Sequence, residues 1–255
     1  LIVKGPAVKD SAYFAHLDFF YNQVAGLPDV SMALSSSVPG EELHWGREFY
    51  RKDEPGNNTG VNIVAVDEHF FDLFDASFAA GSNFSDGSTL NKDAIIFNET
   101  AVRLLGYTQP QDIIGQTIIW NENENDQQPK RVIGVIKNFN QQSLRNEVGP
   151  IVFTLKKYVF APWAGEFYSF KIPGKNLEHS IASIQKVWKE VYPGNPFDYF
   201  FLDEFFDAQY RNDRHFGKIF SMFSGLAILI ACLGLFGLSS YMIVLRTKEI
   251  GVRKV

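Results

Sequence analysis

The sequence predicts an α+β fold: a split α/β subdomain with an inserted mainly β subdomain, followed by a long helix continuing into a transmembrane helix. Three observations lead there. Two strand-helix-strand patterns stand at opposite ends of the first roughly 215 residues, and short β runs punctuated by turn residues fill the interval. Ile219 to Leu245 then runs for roughly 27 residues without a charge. The expected boundaries are residues 1–40 and 159–215 for the split subdomain, 41–158 for the insertion and 216–245 for the span.

In chain order, LIVKG reads as a short strand and Ser11 to Ala25 as a helix whose apolar positions Phe14, Leu17, Tyr21 and Val24 recur at the spacing of one buried face. Gly26 and Pro28 end it, and Val30 to Ser36 returns as a strand. The same grammar reappears from Phe167. Phe167 to Ile172 is a strand, Pro173-Gly174 a turn, and Asn176 to Val191 a helix with Ile181, Ile184, Val187, Trp188 and Val191 on one face. Phe197 to Leu202, strongly aromatic, completes the second unit as a strand.

The insertion alternates strands with short helices. Arg51 to Thr59 is a polar loop, Val61 to Val66 a strand, and Asp67 a candidate cap for a short helix carrying Phe70, Phe71, Leu73 and Phe74. Ala94 to Phe97 is a strand, and Asn98 caps a helix that Gly106 terminates. Gln111 to Ile114 reads as a helical turn. Thr117 to Trp120 and Arg131 to Ile136 read as an antiparallel pair joined by the polar stretch NENENDQQPK, and Ile151 to Leu155 as a last strand.

From Asp203, a possible cap with Glu204 in the first turn, helical text runs into the apolar segment without a linker. At about 1.5 Å per residue that segment covers roughly 40 Å, more than the about 30 Å hydrocarbon core of a bilayer. A helix buried in a soluble core is usually shorter and keeps a polar stripe, and a signal peptide sits at the N-terminus. Ser221 and Gly225, then Ala227 and Ala231, are small residues four apart, with Gly234 a turn further on. They are the candidate helix-packing positions. Arg246, Lys248, Arg253 and Lys254 flank one end and Arg211, Arg214 and Lys218 the other, so the basic residues barely favour a cytoplasmic C-terminal end.

Net charge is −5 and mixed in sign, with no basic stripe to follow a phosphate backbone, which argues against a nucleic-acid partner. The single cysteine, Cys232, lies inside the span, so the preceding region has neither disulfides nor thiolate ligands. His16, His44, His69, His179 and His215 are dispersed, and no nucleophile elbow, P-loop or dinucleotide fingerprint is present. No catalytic, cofactor-binding or metal-binding residues are assigned. Glu122, Glu124 and Asp126 lack the glycine and downstream Glu of a calcium loop and read as a solvated hairpin tip. The apolar start at Leu1, without Met or signal sequence, and the end at Val255 after a basic segment lead us to expect a piece of a longer membrane protein.

The text FLDEFFDAQY followed by IFSMFSGLAILIACLGLFGLSSYMIVLRTKEIGVRKV resembles bacterial ABC transporter permeases of the MacB/FtsX-like type. Supporting blocks are SSSVPG (Ser35 to Gly40), FNETAVRLLG (Phe97 to Gly106) and GVIKNFNQQSLRNEVGPIVF (Gly134 to Phe153), so the resemblance covers nearly the whole chain. It implies a periplasmic core domain between the first and second of four spans in the bacterial inner membrane, with residues 1–215 periplasmic and Arg246 onward cytoplasmic. It also implies a non-catalytic permease subunit without cofactors, whose partners are a separate cytoplasmic ABC ATPase subunit and a second permease copy or paralogue. Membrane lipid and a periplasmic adaptor or cargo complete that set. Residues 246–255 would then begin the coupling segment that meets the ATPase, with Arg246, Thr247, Lys248, Glu249, Ile250, Gly251 and Arg253 as its candidate residues. On a helix, Glu249 and Arg253 are four apart and can pair. The function the resemblance implies is coupling of ATP hydrolysis by that ATPase to movement of the periplasmic domain, for export or efflux. Two other readings stand beside it: an FtsX-like scaffold regulating a cell-wall hydrolase, and the extracytoplasmic sensor domain of a signalling protein.

Overall fold

Eleven strands among the described residues join into one sheet, and part of that sheet closes on itself. The computed structural model describes residues 1–7, 12–85, 87–123, 126–139, 148–155 and 166–252. The strands are β1 (Ile2–Lys4), β2 (Ser31–Ser35), β3 (Gly46–Arg51), β4 (Thr59–Val66), β5 (Phe78–Gly81), β6 (Ala94–Asn98), β7 (Thr117–Asn123), β8 (Asp126–Ile136), β9 (Ile151–Leu155), β10 (Phe167–Lys171) and β11 (Tyr199–Phe200). The helices are α1 (Tyr13–Ala25), α2 (Phe70–Leu73), α3 (Glu99–Leu104), α4 (Leu177–Val191) and α5 (Leu202–Val252). The chain divides into two units, Leu1–Phe205 and Phe206–Val255.

Strand order runs β11-β1-β10-β2-β4-β3-β7-β8-β6-β9, and β9 pairs back onto β4. The segment from β4 through β3, β7, β8 and β6 to β9 is therefore a closed, barrel-like ring, and β11, β1, β10 and β2 form an outer extension of it. The pairs β4–β9 and β6–β8 are parallel, and the rest are antiparallel. Residues of β4, β6 and β9 alternate between two cores, as the two-residue period of a strand demands. Val61, Ile63, Ile95, Phe97 and Val152 enter the barrel with Phe49, Ile118, Trp120, Val132 and Val135. Val64, Val66, Ile96, Ile151, Phe153 and Leu155 face outward, where Phe70 and Phe71 of α2 cover them. Strands buried on both faces read as continuous apolar runs, which is how AIIFN and IVFTL look.

On one face of the outer strands, α1 and α4 pack Phe20, Val24, Ile184, Trp188 and Val191 against Val3, Met32, Leu34, Tyr168 and Phe170. Ile2 and Phe167 alternate to the other face and meet Val38, Phe74, Phe200 and Leu202. The predicted face of α1 holds at Leu17, Tyr21 and Val24, which pack on this core, and needs correction at Phe14. Tyr13, Phe20 and Val24 are its buried positions, Leu17 and Tyr21 are half-buried, and Phe14 is 49% exposed. The seven- and four-residue steps of the buried set also fit one helical face, and the sheet beneath selects it.

Other boundaries differ for identifiable reasons. The polar stretch after Trp120 is mostly strand, because ladder hydrogen bonds are made by the backbone and tolerate Asn and Gln side chains on the wet side. Strands β3 and β5 are additions to the expected set. In β3 the charges of GREFYR mask a buried Phe49 and Tyr50. The predicted strand Phe197 to Leu202 contracts to Tyr199–Phe200, since Asp203 and Glu204 belong to the first turn of α5, where acidic side chains suit the helix dipole. Asp67 does not cap α2. That cap position is His69 and makes no side-chain bond.

Asn98, by contrast, is the expected cap and more. It is 1% exposed, and its Oδ1 accepts both the Ala101 N–H of α3 and the Ile151 N–H of β9 at 3.0 Å, while Nδ2 donates to Gly149 O at 2.8 Å. One amide thus fixes the start of α3 against β9. A second constraint is the crossing of β5 and β8. Gly81 has φ +70°, a Cβ there would lie 2.1 Å from the Ile133 carbonyl oxygen, and a Cβ on Gly134 would lie 2.5 Å from Ser82 O.

Gly81→Ala should therefore lower the unfolding free energy by about 3 kcal/mol or more in urea titration, through left-handed strain and a backbone clash. Gly174→Ala, with open space around it and no positive φ, should change it by less than about 1 kcal/mol. Asn98→Ala should lose about 2–3 kcal/mol in the same assay by orphaning buried backbone groups.

Candidate functional site

Helix α5 runs unbroken from Leu202 to Val252. Within it Ile219–Ile243 is a stretch of 25 residues with mean hydropathy 2.4, long and apolar enough to cross a bilayer. Its large side chains, including Phe220, Met222, Phe223, Ile230, Phe236 and Met242, are more than half exposed, which water would not tolerate over so long a surface but hydrocarbon would. All five predicted packing residues lie in this stretch. At about 100° per residue they fall in two strips: Ser221 with Gly225, and Ala227, Ala231 and Gly234 roughly 130° further round. Among the described residues nothing outside the helix's own backbone lies within 4 Å of a Cβ built on Gly225 or Gly234. Of the coupling residues, Arg246, Thr247, Lys248, Glu249, Ile250 and Gly251 lie on the last turns of α5, and Arg253 lies outside the described residues.

Two buried carboxylates anchor α1: Asp67, which the sequence offers only as a helix cap, and Glu166, which no sequence pattern singles out. Asp67, directly after β4, receives the Tyr21 hydroxyl of α1 and the Leu34 N–H of β2, the latter at 2.6 Å, on Oδ2, while Oδ1 takes the His69 N–H at 3.2 Å. Its own N–H donates to Leu34 O at 3.0 Å. Beside it Ser36 N–H donates to Ala65 O at 2.7 Å and Ser36 Oγ accepts the Ala65 N–H at 2.9 Å. Only Ser35 and Val66 pair in register between β2 and β4, so these side chains make most of the joint between the outer strands and the barrel. Burial pushes the Asp67 carboxyl up to about 6, with the Tyr21 and Leu34 hydrogen bonds and His69 pulling against it.

Glu166, just before β10, accepts the Tyr13 hydroxyl on Oε1, and its main-chain oxygen takes Gly5 N–H at 2.6 Å. A Cβ at Gly5 would stand 2.7 Å from the Glu166 Cβ, so only glycine fits against this side chain. Tyr168 and Tyr192 share a hydrogen bond of 3.0 Å close by. Burial, then the Glu166 charge, raises the Tyr13 and Tyr168 hydroxyls well above the ordinary phenol range, and burial pushes Tyr192 up to about 12. These phenols stay protonated: Tyr13 donates to Glu166, and in the Tyr168–Tyr192 pair one hydroxyl donates to the other. Among the described residues no group of His, Cys, Asp and Glu could hold a metal ion. The arrangement offers structural tethers and a membrane-compatible helix.

The sequence profile of the MacB-like periplasmic core domain matches residues 14–182. The chain belongs to that family. The MacB-like fold is also visible in solved structures. The periplasmic region of MacB from Actinobacillus actinomycetemcomitans is similar with a TM-score of 0.55 at 13% identity, covering 82% of this chain and 92% of that one. The extracellular domain of the ABC-type transporter YknZ from Gram-positive bacteria is similar with a TM-score of 0.50 at 15% identity, covering 77% and 97% respectively. A search of the curated proteins finds no match. The chain is thus a MacB-like periplasmic domain of an ABC-type transporter permease, ending in one candidate membrane-spanning helix.

An aspartate whose pKa is raised on folding binds its proton more tightly in the folded chain. Between about pH 4 and 6 the folded state therefore holds more protons than the unfolded one, and stability falls as pH rises through that window, by up to about 3 kcal/mol. Urea midpoints across pH 4–7 should show this decline from Asp67, and Asp67→Asn should remove that component.

Proposed function

We propose that the chain is part of a MacB/FtsX-like permease subunit that couples ATP hydrolysis by a separate cytoplasmic ATPase to movement of its periplasmic domain, for export or efflux. The observation that carries this reading is the continuity of α5: one helix contains the Asp203 to Lys218 text, the apolar stretch and the predicted coupling residues from Arg246 to Gly251. A continuous helix transmits a displacement that a flexible linker would absorb. In this reading Arg246, Thr247, Lys248, Glu249, Ile250, Gly251 and Arg253 meet the ATPase on the cytoplasmic side of the inner membrane. The small-residue strips at Ser221 and Gly225, and at Ala227, Ala231 and Gly234, pack against other membrane helices of the same subunit or of a second permease copy.

The moving body divides at residues 1–40 with 159–215 and at 41–158, followed by the span at 216–245 and the coupling segment at 246–255. The hydrophobic clusters support this division. One draws on Val3, Phe20 and Leu34 from one end of the chain and Tyr168 and Trp188 from the other, whereas the barrel cluster is drawn from between them. A periplasmic adaptor or cargo would be the partner of this body.

Inserting a Gly-Ser segment at Gly217 should leave ATP turnover of the reconstituted transporter measurable and lower substrate export at least about tenfold. Full transport by that variant would remove the basis for a mechanical lever. Retained pull-down of an envelope hydrolase without any transported substrate would favour the scaffold reading instead.

A further inference from the structure

The Tyr21 hydroxyl carries one hydrogen and has two acceptors in reach, Asp67 Oδ2 and, at 3.4 Å, the carbonyl oxygen of Met32. Both acceptors lie at the joint, since Met32 belongs to β2 and Asp67 directly follows β4. An ionised carboxylate only accepts, so it takes the Tyr21 hydrogen and the Leu34 N–H together. Once protonated, it has a hydrogen of its own to place. The Tyr21 oxygen is already in hydrogen-bond contact, and it can accept if its hydrogen turns to Met32.

We propose that Asp67 and Tyr21 form a proton-operated, two-position latch between the barrel and the outer strands. In one position ionised Asp67 holds the Tyr21 hydrogen. In the other, Asp67 takes one proton from solvent and donates it to the Tyr21 oxygen, while Tyr21 donates to Met32 O. No covalent bond other than the new O–H forms or breaks. The change removes the buried charge and adds a hydrogen bond from Tyr21 to β2, so the protonated position holds β2, α1 and the barrel more tightly and the ionised position is the looser one.

The surrounding charges leave both positions accessible. On its own turn Asp67 has half-buried Glu68, which raises its pKa, and exposed His69, which lowers it and whose ring lies 5.9 Å from that of Tyr21. Strand β2 contributes no titratable side chain. Asp18 on α1 and Asp72 on α2 are exposed, and Asp75 beyond α2 is held by Lys171 at 2.8 Å. With burial setting the carboxyl at about 6, a modest acidification moves the latch. This device is independent of whether the assembly exports a substrate.

The test uses the full chain in lipid nanodiscs with carbon-13-labelled aspartate carboxyls. The Asp67 resonance, assigned by its loss in Asp67→Asn, should titrate near pH 6, and Tyr21→Phe should move it upward by about one unit because a bond to the charged form is gone. Amide exchange of residues 31–36, corrected for intrinsic rates, should slow by about tenfold from pH 7.5 to pH 5 in the parent, because opening the joint to water returns Asp67 to its ordinary pKa and releases its proton. In Tyr21→Phe the midpoint of that change should move upward with the carboxyl. An Asp67 titration at about 4, a resonance unmoved by Tyr21→Phe, or pH-independent exchange at β2 would each overturn the latch. If Asp67→Asn does not fold, Tyr21→Phe decides alone, since the aspartate resonance that it moves is the latch carboxyl.

Discussion

The structure of the extracytoplasmic unit depends on how little sheet joins its outer strands to its barrel. β2 and β4 share one registered pair, Ser35 with Val66, and the rest of the seam is made by Asp67 and Ser36. A buried carboxylate accepting a phenol and two backbone N–H groups is strong only while every donor is in place, because each is costly to leave unpaired in a low-dielectric setting. The seam is therefore directional: it specifies one relative placement of β2, β4 and α1. Sliding the strands would lose all of its bonds together.

Around that seam the apolar residues do non-directional work. Strands β4, β6 and β9 present alternate residues to the inside of the barrel and to the layer under α2, so single runs of five to eight residues serve two cores. The barrel closes because β9 returns to β4, which leaves neither strand with an unsatisfied edge. The outer strands bury their two faces under helices, α1 and α4 on one and the start of α5 on the other. The two tyrosines of α1 that reach buried carboxylates, Tyr13 to Glu166 and Tyr21 to Asp67, tie this helix to strands far apart in sequence.

What such an architecture can do follows from what it contains. The buried polar groups are tethers with phenols held protonated, and the long helix is apolar where a membrane would cover it. In a MacB-like periplasmic domain built this way, the residues that matter to the fold are those that keep its elements in place. Such roles leave no motif. They depend on burial and partnership, which are properties of the folded chain.

Local periodicity and capping chemistry were enough to read α1, α4, α5, the strands β4, β6, β9 and β10, and the Asn98 cap, because each is dictated by neighbours within a few residues. The charge-free run from Ile219 showed its membrane character for the same reason, and the blocks around it carried the family. Tertiary structure alone decided that Tyr13 and Phe20, not Phe14, flank Leu17, Tyr21 and Val24 on the buried face of α1, since both sets are helical and only the sheet chooses between them. It alone made strands of the charged GREFYR and of the polar hairpin after Trp120, where backbone pairing overrides side-chain polarity. And it alone turned Asp67 from an expected helix cap into the pin of the joint. Its partners Tyr21 and Leu34 lie more than thirty residues away in sequence, a distance over which no local pattern carries information.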